Sequence, residues 1–166
     1  LIWEYKTNGG NGPATLNQNE NGDLFWAVSN ENLNESKLIK INKENGQPIW
    51  ESKFEGIPHD ISFNKNSTFI VGTTVLENDT NKYGFLNSFN SDSGIFNWEK
   101  IYTDIAPAGN TVSQFRSITI EDNKIFITAS PYGHIRNYIY SGFTQRDDAV
   151  AICLDLEGNQ IWTGIG

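Results

Sequence analysis

The chain has no methionine and a single cysteine, Cys153, so an intrachain disulfide and a cysteine-based zinc cluster are both excluded. Cys153 lies in the apolar run 149–154, the setting of a buried, inert thiol. No apolar run approaches the roughly 18 residues a membrane-spanning helix needs. Positive charge is scarce as well. Twelve Lys and Arg stand against twenty Asp and Glu, a formal net charge of −8, which removes nucleic acid and anionic membrane surfaces from the expected partners. The sequence opens at Leu1, without an initiator methionine or a signal peptide, so a processed, excised or partial chain is expected. Nucleophile elbows, phosphate loops and paired metal motifs are missing.

What is present favours turns and aromatic strands. The 166 residues are 37% hydrophobic and 13% aromatic, with 15 Gly and five Trp, enough for a folded core of all-β type. Three sequons, at Asn34, Asn66 and Asn78, match the number that about 21 Asn and 24 Ser plus Thr produce by chance, and they carry no information.

The chain repeats itself. Trp3, Trp50, Trp98 and Trp162 end similar segments, at spacings of 47, 48 and 64 residues. Before the last three lies one grammar: an apolar strand, a polar turn with Gly46, Gly94 or Gly158 four residues ahead of the Trp, then a second strand. Each Gly supplies the positive φ of a tight hairpin. Upstream, a further hairpin turns at Asn21-Gly22, Lys65-Asn66 and Asp122-Asn123. Four strands, A to D, per 47 or so residues predict β-propeller blades, which bury one another's faces.

Residues 42–50 and 90–98 resemble the tryptophan-docking repeat of quinoprotein-like propellers: Asn, Gly four positions on, Trp four further. The third copy is one residue shorter, from Asp155 to Gly158. The pattern is also similar to bacterial extracellular propeller repeats that end in a Trp strand. Asn90 to Gly94 approaches the sialidase-type Asp-box, but Trp98 follows Gly94 by four residues instead of three. The expected organisation is an outer strand at 1–7, then blades at 8–54, 55–103 and 104–166. Three blades and an orphan strand do not close a ring of four to eight, so the remaining blades are expected from elsewhere in a longer chain, or from a second copy. Trp50, Trp98 and Trp162 are each expected to be mostly buried between one blade and the next.

In a propeller the D–A and B–C connections open on one face, and both extensions of the third repeat fall there. Trp98 to Ile125 is 27 residues, against 19 for Trp50 to Phe69. Ile125 to Trp162 is 37, against 25 and 29 in the earlier blades. The loop 130–148 brings Tyr132, His134, Arg136, Tyr138 and Tyr140, and the loop 104–114 brings Asn110, as the expected contact residues for a protein or glycan partner. His59 and His134 with Asp60 or Asp147 are donor types for a metal, yet their spacing selects no site. Glu55, Asp60, Asp104, Asp147 and Asp148 lie on the right face for glycoside hydrolysis, but nothing pairs them at the separation it needs.

These features predict a non-catalytic binding or scaffolding module at a cell surface, in the periplasm or outside the cell, without cofactor or metal. Two other classes stay open. The resemblance implies a quinone-cofactor dehydrogenase-type enzyme, although that family's vicinal disulfide cannot form from Cys153 alone. A glycan-binding lectin would need an equivalent pocket in each blade, which the uniqueness of the third repeat opposes.

Overall fold

The computed structural model describes residue 4 and residues 12–30, 35–77, 79, 81–103, 112–131 and 149–165. Twelve strands form three four-stranded antiparallel sheets, each a meander in chain order, and no helix occurs among these residues. The first sheet holds β1 (Ala14–Gln18), β2 (Leu24–Asn30), β3 (Glu35–Ile41) and β4 (Pro48–Glu55). The second holds β5 (Ile57–Asn64), β6 (Ser67–Val75), β7 (Lys82–Asn90) and β8 (Phe96–Tyr102). The third holds β9 (Val112–Glu121), β10 (Lys124–Pro131), β11 (Val150–Asp155) and β12 (Gln160–Ile165). Among the described residues no helix is long and apolar enough to cross a membrane.

The sequence dictates which strands are central. β6 and β7 are buried along almost their whole length, as strands covered on both faces must be, whereas β4 alternates with Glu51, Lys53 and Glu55 exposed. The turns behave as their residues demand. Gly46, Gly94 and Gly158 have φ of 72°, 74° and 77°, and the β9–β10 hairpin turns on Asp122 and Asn123, both left-handed.

The sheets stack in chain order through two apolar layers. Phe25, Ala27, Leu38 and Phe54 of the first sheet meet Ile61, Ile70, Phe85 and Phe89 of the second. Phe69, Val71 and Leu86 of the second meet Phe115, Ile118, Ile125, Ile127 and Ile152 of the third. The closest approaches between sheets run through β1, β5 and β9, so the first strands lie innermost and the fourth strands outermost. This is a partial β-propeller. Lys40 is the buried cation of the first interface: its ammonium lies 2.9 Å from Asp23, 5.5 Å from the Phe25 ring centre and 3.4 Å from the Ser91 carbonyl of the next sheet.

Each sheet joins its successor at a glycine. A Cβ on Gly94 would lie 2.6 Å from Trp50 Cε3, so the indole of the first sheet rests directly on the turn of the second. Trp98 repeats the contact at Gly158, where a Cβ would lie 3.2 Å from Cη2, and Tyr102 donates from its hydroxyl to the Gly158 carbonyl at 2.8 Å. Burial pushes that phenol far above its ordinary value, and it stays neutral. Trp162 departs from the expectation: among the described residues no sheet lies beyond it, and it is 46% exposed. Trp98→Ala is therefore expected to cost about 2–4 kcal/mol and Trp162→Ala less than about 1 kcal/mol in this 166-residue chain, compared by urea or thermal melts.

The alignment of Ile125 with Phe25 and Phe69 is also corrected. Phe25 pairs with Lys40 and Phe69 with Ser88 on the faces turned to the next sheet, and the matching pair in the third sheet is Phe126 with Cys153. Ile125 points back into the second interface. An inserted loop blurs a count along the chain, and a slip of one residue reverses the face.

Candidate functional site

At the end of the sheets where β2 leads to β3 and β4 leads to β5, the two inner strands of the second interface both depart from regular pairing. Pro58 pairs with Gly72 and Asp60 with Val71, which leaves His59 as an extra residue in β5. Ser117 pairs with Thr128 and Phe115 with Ala129, which leaves Arg116 extra in β9. Bulges re-aim side chains, and here they bring His59, Asp60 and Arg116 to adjoining inner strands.

The polar atoms of this cluster bridge the sheets. The His59 ring donates from Nδ1 to the Phe115 carbonyl, and Asp60 accepts from the backbone N–H of Ile61 at 2.9 Å and of Ile118 at 3.0 Å. Arg116 Nε lies 3.2 Å from the Ser130 hydroxyl. Burial holds the His59 imidazole below its ordinary value, against the hydrogen bond to Phe115, and the charges of Arg116 and Lys82 add to that depression. A depressed histidine leaves the unfolded chain binding more protons, so stability falls as the pH drops below about 6.5. His59→Gln is expected to flatten the loss of Tm between pH 7 and pH 5, in melts of both proteins across that range.

A cleft of about 280 Å³ opens at the same end between the first and second sheets, lined by Ser29, Asn30, Glu35, Ser36, Gly56 and Lys82. Gly56 alone separates β4 from β5, and its carbonyl accepts from the Ser36 hydroxyl. Glu35 is held by Lys53 at 2.9 Å. Sequence reasoning passed over this cleft, whose signal was the very short Trp50 to Phe69 connection.

Tyr132, His134, Arg136, Tyr138, Tyr140 and Asn110 lie outside the described residues, as do Asp104, Asp147 and Asp148. Their anchors are described: Val112, which opens β9, pairs with Pro131, which closes β10, so the two long connections leave from neighbouring strand ends. Of the other carboxylates, Glu55 is exposed at the end of β4, and both oxygens of Asp60 accept backbone N–H groups. Among the described residues no group of three or more His, Cys, Asp and Glu is placed to hold a metal.

No known family pattern and no curated protein matches the chain. Solved structures do. A bifunctional GH43-CE protein of Bacteroides eggerthii superposes with a TM-score of 0.56 at 11% identity, over 92% of this chain and 19% of that one. Quinohemoprotein alcohol dehydrogenase from Comamonas testosteroni superposes with a TM-score of 0.55 at 13% identity, over 86% of this chain and 26% of the enzyme. The chain thus spans about a fifth of the first of these proteins and a quarter of the second, and at these identities the likeness is one of fold. It corrects the expectation of a chain that is not an enzyme, because the propellers it superposes on are enzymes.

Proposed function

We propose that the chain is part of an extracytoplasmic propeller that binds a protein or glycan at the end where the inner strands bulge. The observation that carries this is the double bulge at His59 and Arg116, which places a histidine, a carboxylate and a guanidinium on adjoining inner strands. The cleft between the first two sheets opens at that end, and both long connections of the third sheet depart from it. Tyr132, His134, Arg136, Tyr138, Tyr140 and Asn110 belong to those connections and would supply stacking and bidentate contacts. The docking of Trp50 on Gly94 and Trp98 on Gly158 supports reading the repeat as the tryptophan-docking kind.

A glycan array and a panel of immobilised surface proteins, probed with the chain, test this reading. Retention on one of them that Arg136→Ala/Tyr138→Ala abolishes, with Tm nearly unchanged, is the expected result. The retained glycan is also analysed for shortened products, which separates binding alone from cleavage. Retention untouched by that double variant and by Arg116→Ala would place the ligand elsewhere.

A further inference from the structure

Lys82 and Arg116 are exposed cations that form no ion pair among the described residues, in a chain whose net charge is −8. Lys82 opens β7 opposite Val75 and lines the cleft between the first and second sheets with Ser29, Asn30, Ser36 and Ile57. Ile57 lies two residues before His59 in β5, so the cleft adjoins the double bulge. Arg116 donates from Nε to the Ser130 hydroxyl at 3.2 Å, and among the described residues its two terminal nitrogens stay open to a ligand. The same end offers an acceptor. A carbonyl can only accept, so Nδ1 of His59 carries the proton it shares with Phe115, and the neutral imidazole presents Nε2 as a bare acceptor. The charges of Arg116 and Lys82 both act on that ring, which puts the two cations around it. Thr73, paired with Ile57, is 4% exposed and its hydroxyl has no hydrogen-bond partner in the protein, so its desolvation is offset only by a further group at this end. The opposing charges sit on the first sheet, where Glu35 lies across from Glu55 and is held by Lys53 at 2.9 Å.

We infer that the double bulge and the adjoining cleft take an acidic sugar, whose carboxylate lies between Lys82 and Arg116 while one of its hydroxyls donates to His59 Nε2. It rests on the proposed glycan or protein binding at this end and narrows the ligand to one class. Two cations answer a carboxylate, and a planar guanidinium holds one by two parallel hydrogen bonds. They do not by themselves separate an acidic sugar from an acidic peptide. The neutral His59 does: an ionised Asp or Glu side chain has no proton to give Nε2, whereas every sugar residue carries hydroxyl donors. The cleft wall agrees, since Ser29, Asn30 and Ser36 are polar and Ile57 is the one apolar side chain among its lining residues. The net charge of −8 does not forbid this. Exposed charges are screened beyond about 8–10 Å at ordinary ionic strength, and the sugar sits closer than that to Lys82 and Arg116.

The test uses the natural polypeptide that contains this segment, titrated by calorimetry with trigalacturonate, with neutral galactotriose and with triglutamate. Trigalacturonate carries hydroxyls and charge together, galactotriose hydroxyls alone and triglutamate charge alone. Trigalacturonate is expected to bind at least about tenfold tighter than either other probe. Lys82→Gln and Arg116→Gln are each expected to weaken it about tenfold with Tm unchanged, because both side chains are exposed. Galactotriose bound as tightly overturns the inference and leaves glycan binding at this end intact. Triglutamate bound as tightly overturns it in favour of an acidic peptide. Trigalacturonate binding that neither variant weakens places the sugar elsewhere and overturns it too. If none of the three binds, the acidic sugar falls, whereas the broader reading falls only when the glycan array and the protein panel also retain nothing.

Discussion

Phe115→Ala is expected to destabilise the chain by about 3–5 kcal/mol, the range for a fully buried aromatic. Phe115 is 0% exposed and sits among Phe69, Leu86, Ile125 and Ile127, so its loss leaves a cavity between two sheets that neither can fill alone. Its ring also packs 5.2 Å from Tyr102 and occupies the place where a side chain on Gly84 would stand, 2.5 Å from a Cβ there. Gly84→Ala alone therefore overpacks the interface, at about 1–3 kcal/mol. Together the two changes are expected to cost less than their sum, because the added methyl enters the space the ring has left. A double-mutant cycle in urea melts measures this, and strict additivity would show that the ring and the glycine do not share that space.

Gly94→Ala is expected to cost about 2–5 kcal/mol, or roughly 5–15 °C in Tm. Two independent terms act. A non-glycine residue at φ of 74° is strained by about 1 kcal/mol or more, and the new Cβ would lie 2.6 Å from the Trp50 ring and 2.9 Å from Ser52 Oγ, which donates to the Gly94 carbonyl. Gly22→Ala isolates the first term. Its φ is 81°, but the nearest atoms are the ends of Gln18 and Lys43 at 3.2 Å, which swing aside, so about 1 kcal/mol is expected. Equal losses at both positions would show that docking of Trp50 on the turn adds nothing to stability.

The architecture was legible because its signals are local. Gly four residues before a Trp and a turn at Asp122-Asn123 each state a backbone conformation without reference to the rest of the chain. The site was much less legible. His59 and Asp60 stood out as donor types, but Arg116 did not, since a bulge is a disagreement in length between two paired strands and neither strand alone carries it. The burial expected for Trp162 failed for a related reason: position in the repeat names the face on which an indole lies, while its exposure depends on the sheet that covers that face.

By itself, then, the sequence determined the four-stranded repeat and its turns, because propensity and left-handed glycine act within a few residues. Tertiary structure alone decided that Phe126 and not Ile125 faces outward, that Trp50 and Trp98 rest on glycines 44 and 60 residues further on, and that His59 meets the carbonyl of Phe115. Those outcomes depend on register and on stacking between sheets, where residues far apart in the chain compete for the same space.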